Sequence, residues 1–514
     1  MNGFSEKIYL HLEMPTEEAP VSDQKRILLA LETLGYENVT MPLSVLRMLY
    51  PMCREANYDI TVTMVHREAD WVVINVEPGD QRQNHYGLAV DYGSTTIVMQ
   101  LIDMNSGAVI DQVKAVNGQT AYGTDILSRI TYSLEDPSHM DDLQHSTAKT
   151  FDSLLAQLAE NTGIEAEKCP IMVISGNTTM IHFLLKLNAW TVFASPYAPV
   201  STDPGFLWGK ELGMNFSGLV YIIPAASNYI GGDIVSGLLK LDIHKKEEIS
   251  LFFDIGTNGE LVIGNRDWMM AGAGAAGPAL EGYISRFGMR AADDAIDSVT
   301  IKGRDLTFTT IGNKKPVGIC GSGIIDLLAQ MRLSGWINIA GELNPHVSHR
   351  IVYLEEEQQF AAVYALAKES ASGLPLYFSQ TDIMQYLDTK AAAYTMVECL
   401  LEAAGVSTDD LTHLYLSGAF TAHSDLGSAI TIGIFPDLPR DNYSVLSNTS
   451  LDGARILLLD RSRLREAREL SETIYCVQFA SIPDFLVRMQ AAKFIPHTDM
   501  RRYPSVQKRL SNTI

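Results

Sequence analysis

Residues 89–96 read AVDYGSTT and residues 252–260 read FFDIGTNGE. Each is an apolar run that ends in Asp-x-Gly and continues into Ser or Thr. An aspartate at a strand end, a glycine free to take positive φ, and a tight turn rich in hydroxyls and backbone N–H groups together make a cradle for phosphate. One such turn is weak evidence. Two in one chain predict a pair of related half-domains that close on a single nucleotide, each holding part of its phosphate chain and metal.

Composition narrows the alternatives. A chain of 514 residues is too long for one core and predicts several domains. With 46% hydrophobic and 19% charged residues it reads as an ordinary globular protein. The balance of 39 basic against 61 acidic residues, net −22, argues against nucleic acid or an anionic membrane as partner. No apolar segment follows a basic start, and no run reaches the roughly eighteen apolar residues of a membrane helix, so a cytoplasmic location is expected. The cysteines, Cys53, Cys169, Cys320, Cys399 and Cys476, lie far apart without a C-x-x-C pair. Reduced thiols and no iron–sulfur cluster of the chain's own are expected. His346 and His349 form an isolated H-x-x-H in a polar loop, too little for a metal site.

The chain divides into three parts: residues 1–85, 86–246 and 247–514. The first alternates β-like runs (IYLHL, YDITVTMV, WVVINV) with helical stretches (QKRILLALETLG, PLSVLRMLYPMCREA), a small α+β module. The second opens with three β-like segments from LAVDYGSTT onward and continues into helices near 123–135 and 141–162, the order of an antiparallel meander followed by helices. The third repeats strand, phosphate-type turn, strand, turn, strand from residue 248. This resembles the duplicated β-meander core of actin, sugar kinases and Hsp70 ATPase domains (the ASKHA, RNase H-like class of α/β folds), preceded by a small linker-like domain.

Further segments fit that scheme. VYIIPAASNYIGGDIVSGLLKLDI reads as strand, turn and a small-residue helix, much like the one that crosses beneath the phosphates in this superfamily. Gly231 and Gly232 permit close backbone approach, and Asp233 sits at its nucleotide end; a glycine-rich packing surface is the competing reading. VISGNTTMIHFLL carries a Gly-Asn-Thr-Thr turn, in which Asn177 and Thr178 suit an N-cap or a phosphate contact. His182 falls on the apolar side of that helix, as a satisfied buried histidine does. In AGAGAAGPALEG, Pro278 suits a first helical turn, while Glu281 either orients water or magnesium or simply favours the helix dipole. Cys320, beside a helix N-terminus in GICGSGIIDLLAQM, is either a thiolate or a small buried side chain. The strand of LTHLYLSGAF ends at Ser417-Gly418-Ala419, where the superfamily places its adenosine-contacting turn.

LAVDYGSTT, NGQTAYGTDILSRI, ISGNTTMIHFLL, FDIGTNGELVIGN, AAGPALEG, GMRAADDAID, GICGSGIIDLL, YLSGAF and IGIFPDLP, taken in order, resemble the reductive activators of corrinoid proteins. The resemblance extends into the N-terminal module through PLSVLRMLYP and VEPGD. It implies ATP-dependent return of an inactive Co(II) corrinoid to Co(I) on the corrinoid protein of a methyltransferase system. It further implies that Asp91 and Asp254 hold Mg²⁺ through water, that Gly93, Ser94, Thr95, Thr96 and Gly256, Thr257, Asn258, Gly259 wrap the phosphates, and that Gly418 lies against the adenosine. Members of that family are often homodimers.

The well-known members also carry iron–sulfur ligands that this sequence does not show, so electrons are expected from a separate ferredoxin or flavoprotein. Ser94 stands where threonine is usual and keeps the hydroxyl. Two other readings share the fold: an ATP-dependent conformational chaperone of a corrinoid protein with no redox role, and a small-molecule kinase with Asp233 as general base. Activators of 2-hydroxyacyl-CoA dehydratases also share it, but hold a cluster through cysteines that have no counterpart here.

Overall fold

The computed structural model describes residues 2–256, 258–275, 282, 284–418 and 424–511. Sequence assignments at Thr257, Pro278, Glu281 and Ala419 fall outside the described residues. The chain packs as two compact units. The first comprises Met1–Asp242 with Thr449–Thr473, and the second Ile243–Asn448 with Ile474–Ile514. Residues 449–473, which the sequence reading left in the third part, thus return to the first unit.

The N-terminal module of the first unit holds a four-stranded sheet of β1 (Ser5–His11), β2 (Val39–Thr40), β3 (Asp59–Arg67) and β4 (Asp70–Pro78), in the order β1-β3-β4-β2. Ile27, Leu31, Ile60, Val62 and Val73 are buried in its core. The stretch 42–56, predicted as one helix, is two: Leu43–Leu46 and Leu49–Glu55, with Tyr50 at φ −111° and ψ 131°. Pro51 accounts for the kink at Tyr50 within the second segment, because its ring disfavours the helical conformation in the residue before it.

The rest of this unit is built on a six-stranded sheet. β5 (Tyr86–Tyr92), β6 (Thr96–Asp103) and β7 (Val109–Val116) form the antiparallel meander that the sequence predicts. β8 (Ile171–Gly176) then runs parallel to β5, β10 (Leu219–Ile222) parallel to β8, and β9 (Gly205–Trp208) closes the edge. Lying between parallel neighbours and covered on both faces, β8 is buried throughout, which accounts for its unbroken apolar run. β7, an edge strand, carries Asp111, Gln112 and Lys114. Helix His139–Thr162 packs Leu143, Phe151, Leu154 and Leu158 into the core formed by Val90, Met99 and Ile174. Four helices frame the site: α1 (Ile126–Glu135), α2 (Thr178–Leu184), α3 (Gly232–Leu241) and α4 (Thr449–Leu459).

The second unit repeats this connectivity. β11 (Ser250–Ile255), β12 (Asn258–Gly264) and β13 (Met269–Ala275) form a meander. β14 (His413–Ser417) runs parallel to β11, β15 (Tyr443–Val445) parallel to β14, and β16 (Tyr475–Val477) parallel to β13. The run β15-β14-β11-β12-β13 therefore matches β10-β8-β5-β6-β7 of the first unit, and the sheets differ at their edges, where β16 flanks β13 and β9 flanks β10. Two three-stranded sheets and helices Gly321–Leu333 and Gln380–Ala403 complete the unit around Phe253, Leu261, Ile325, Leu328 and Trp336. Among the described residues no helix is long and apolar enough to cross a membrane.

Candidate functional site

In the first unit Asp91 is the penultimate residue of β5, with Ser175 of β8 beside it in parallel register and Val98 of β6 opposite. The turn of Gly93, Ser94 and Thr95 leads directly into Thr96, and all four residues are partly exposed. In the second unit Asp254 has the equivalent place on β11, with Ser417 of β14 in parallel register and Glu260 of β12 opposite. The Gly256 N–H closes that turn on the Asn258 carbonyl at 2.9 Å, and Gly259 is the next residue of β12. An aspartate beside a serine at the end of equivalent strands thus recurs in each unit.

The first turn stands in a polar network absent from the sequence reading. The Ser450 hydroxyl, from the first turn of α4, donates to Asp91 Oδ1 at 2.8 Å and lies 2.9 Å from Ser175 Oγ. Ser236 of α3 donates to Ser175 Oγ at 2.8 Å, and Ser175 reaches the Gly232 carbonyl at 3.2 Å. Ser175, Ser236 and Ser450 are buried, so each hydroxyl needs such a partner. Ser175 had a local signal, standing one place before the Gly176-Asn177 turn. Ser450 had none.

Two more predicted segments converge here. Asn177 is the N-cap of α2, its side chain accepting from Met180 N at 2.9 Å, while the Thr178 hydroxyl donates to the Ser227 carbonyl at 2.7 Å. A side chain on Gly231 would meet Asn177 Cα at 2.5 Å and Thr178 N at 2.9 Å. Glycine therefore lets the start of α3 close on this turn. Asp233 follows in the first turn of α3, accepting from Ile234 N at 2.9 Å, and is partly exposed. His182 is fully buried. Its Nε2 accepts from Val200 N at 3.1 Å, so Nδ1, 2.7 Å from the Thr178 carbonyl, carries the hydrogen. Burial holds its pKa below the ordinary histidine value.

In the second unit Gly418 has φ +102°, and a side chain there would lie 2.0 Å from the Ile255 carbonyl. Its glycine character serves the close approach of the β14 end to the Asp254 turn. Cys320 is buried at the N-cap of Gly321–Leu333 with Sγ 3.3 Å from the Ile296 carbonyl, the environment of a thiol donor. Cys53 and Cys169 belong to the first unit; burial raises their pKa, to about 11 and about 12. Cys399 and Cys476 lie in the second.

In each unit a carboxylate at a strand end beside a glycine turn has the chemistry that suits a magnesium-bound phosphate. The sequence matches three family models: "RACo linker region" over residues 1–83, "RACo middle region" over 86–246, and "C-terminal domain of RACo the ASKHA domain" over 248–507. It is 30% identical over 423 residues to the corrinoid activation enzyme RamQ of Eubacterium limosum, covering 80% of this chain and 71% of that protein. It is 24% identical over 417 residues to the [Co(II) methylated amine-specific corrinoid protein] reductase of Methanosarcina barkeri, covering 76% and 73%. The solved structure of a reductive activator for a corrinoid, iron–sulfur protein aligns with a TM-score of 0.87 at 33% identity, over 98% of this chain and 81% of that one.

Proposed function

The chain belongs to the family of reductive activators of corrinoid proteins, and on that premise we propose that it uses ATP to support reduction of a partner's Co(II) corrinoid to Co(I). One electron enters the cobalt from a separate ferredoxin or flavoprotein, and ATP is hydrolysed to ADP and phosphate. Ordinary cellular donors reach this couple only uphill, which is why hydrolysis must be linked to electron transfer or to release of the activated partner.

In this reading Asp91 and Asp254 hold Mg²⁺ through water. Gly93 to Thr96 bind phosphate in one unit, and Gly256, Thr257, Asn258 and Gly259 in the other. Bound magnesium supplies polarisation and charge neutralisation of the phosphoryl oxygens. Ser450 donates to Asp91 Oδ1 and fixes that oxygen of the carboxylate. Asn177 and Thr178 present the N-terminus of α2, Asp233 and Glu281 orient water, and Gly418 flanks the adenosine side. The observation that carries the nucleotide reading is the repeated register of Asp91 with Ser175 and Asp254 with Ser417. Family membership carries the corrinoid partner. The same reading makes the protein a cytoplasmic ATPase.

The test mixes the protein with its methyltransferase corrinoid protein, a low-potential donor and Mg·ATP, and follows the visible spectrum. Conversion of Co(II) to Co(I) that requires ATP is the expected result. Hydrolysis without conversion under any donor replaces reduction by a conformational chaperone role, and phosphorylation of a small alcohol or acid replaces it by a kinase.

A further inference from the structure

The motif NGQTAYGTDILSRI, residues 117–130, has no part in the roles assigned above. In the first unit it lies behind the phosphate turn. Three successive turn carbonyls are held by it: Gly93 O accepts from Asn117 Nδ2 at 2.9 Å, Ser94 O from Arg129 Nη1 at 2.7 Å, and Thr95 O from the Asn117 backbone N–H at 2.8 Å. In a trans peptide the N–H points opposite to the C=O. The N–H groups of Ser94 and Thr95 are therefore directed away from the motif. Turning carbonyls inward in this way is how a turn becomes an anion-binding nest.

Arg129 is the unusual member of this brace. It is fully buried on α1, with Nε donating to the Gly123 carbonyl at 2.9 Å and Nη1 3.7 Å from Met180 Sδ besides its bond to Ser94. Its other terminal nitrogen, Nη2, is buried and finds no hydrogen-bond partner among the described residues. No carboxylate makes an ion pair with it there: Asp125, four residues earlier, accepts instead from Ser128 N at 2.8 Å as the cap of α1. A buried guanidinium without a counter-ion is costly, because the desolvation of its charge is not repaid by an opposite charge. Its presence behind a phosphate turn calls for an anion that compensates it.

We infer that Arg129 is the positioning residue and built-in counter-charge of the first phosphate turn, fixing the Ser94 carbonyl inward and holding a positive charge that the bound polyphosphate neutralises. The inference rests on the nucleotide reading of that turn.

The experiment compares the wild-type chain with Arg129→Met, Arg129→Gln and Arg129→Lys, measuring melting temperature with and without Mg·ATP and the Kd for Mg·ATP at two salt concentrations. For Arg129→Met the expected result is a Kd raised on the order of 10- to 100-fold and a weaker salt dependence. Arg129→Lys keeps the charge but not the two-carbonyl fork and should lose less affinity than Arg129→Gln, which should bind as poorly as Arg129→Met. An apo melting temperature that falls with unchanged nucleotide affinity reduces Arg129 to a packing brace and overturns the inference. Equal losses in the Lys and Gln variants overturn it as well, because they show that charge has no part. If Arg129→Met does not fold, the Lys and Gln pair decides. A wild-type chain that shows no response to Mg·ATP removes the nucleotide reading itself, and the inference with it.

Discussion

Replacing Ser450 by alanine removes the hydroxyl that donates to Asp91 while leaving the backbone of α4 and its packing on α3 in place. A hydrogen bond to a charged group contributes roughly 1.5–3 kcal/mol. Asp91 is partly exposed, so water replaces part of what is lost, and the lower end of that range, about 1.5 kcal/mol, is expected. If Ser450 holds the carboxylate where catalysis needs it, the loss falls on the transition state and lowers kcat/KM for Mg·ATP hydrolysis roughly tenfold. The effect on unfolding is smaller, at most about 2 °C in melting temperature for a protein of this size. Ser236→Ala is the control. Its hydroxyl donates to Ser175 rather than to Asp91, so it should lower stability comparably and leave kcat/KM within about twofold. Wild-type hydrolysis by Ser450→Ala, or equal losses in both variants, would refute the positioning role and leave the serines as packing.

Asp91→Asn and Asp254→Asn should each abolish ATP hydrolysis with circular dichroism unchanged, and retained hydrolysis in both would sink the site. Gly418→Ala forces a side chain onto φ +102° and into the Ile255 carbonyl, with backbone strain alone of about 1–3 kcal/mol. A urea midpoint equal to wild type would show that the β14 end yields without cost. His182 has a folded pKa below its unfolded value. Its contribution is therefore complete above pH 6.5 and is lost as pH falls from there toward the folded pKa, where the unfolded chain takes up the proton first. His182→Gln should flatten the melting-temperature profile below about pH 6.5, and superimposable profiles would contradict the buried neutral imidazole.

The legible parts of this protein are those written in a few adjacent residues. An Asp-x-Gly turn after an apolar run sets its own backbone, so Asp91 and Asp254 were found at strand ends where the meander puts them. The N-cap at Asn177 is equally local, since donor and acceptor are three positions apart. Thr178 shows where that reading stops: a hydroxyl read as suiting a cap or a phosphate contact donates to Ser227, 49 residues away. Gly418 was read for the ligand it flanks, whereas the contact that requires a glycine there is the Ile255 carbonyl, a neighbour set by strand pairing.

The sequence by itself determined the duplicated sheet and the family, because both rest on ordered local motifs whose strand, turn and helix preferences agree. Tertiary structure alone decided what holds the first aspartate and backs its turn. Ser450 meets Asp91 across 359 positions, and Arg129 meets the Ser94 carbonyl across 35. A single serine or arginine carries no periodicity and no turn signal that marks it in advance. Only folding, which buries these groups and obliges each to find a partner, fixes which one it is.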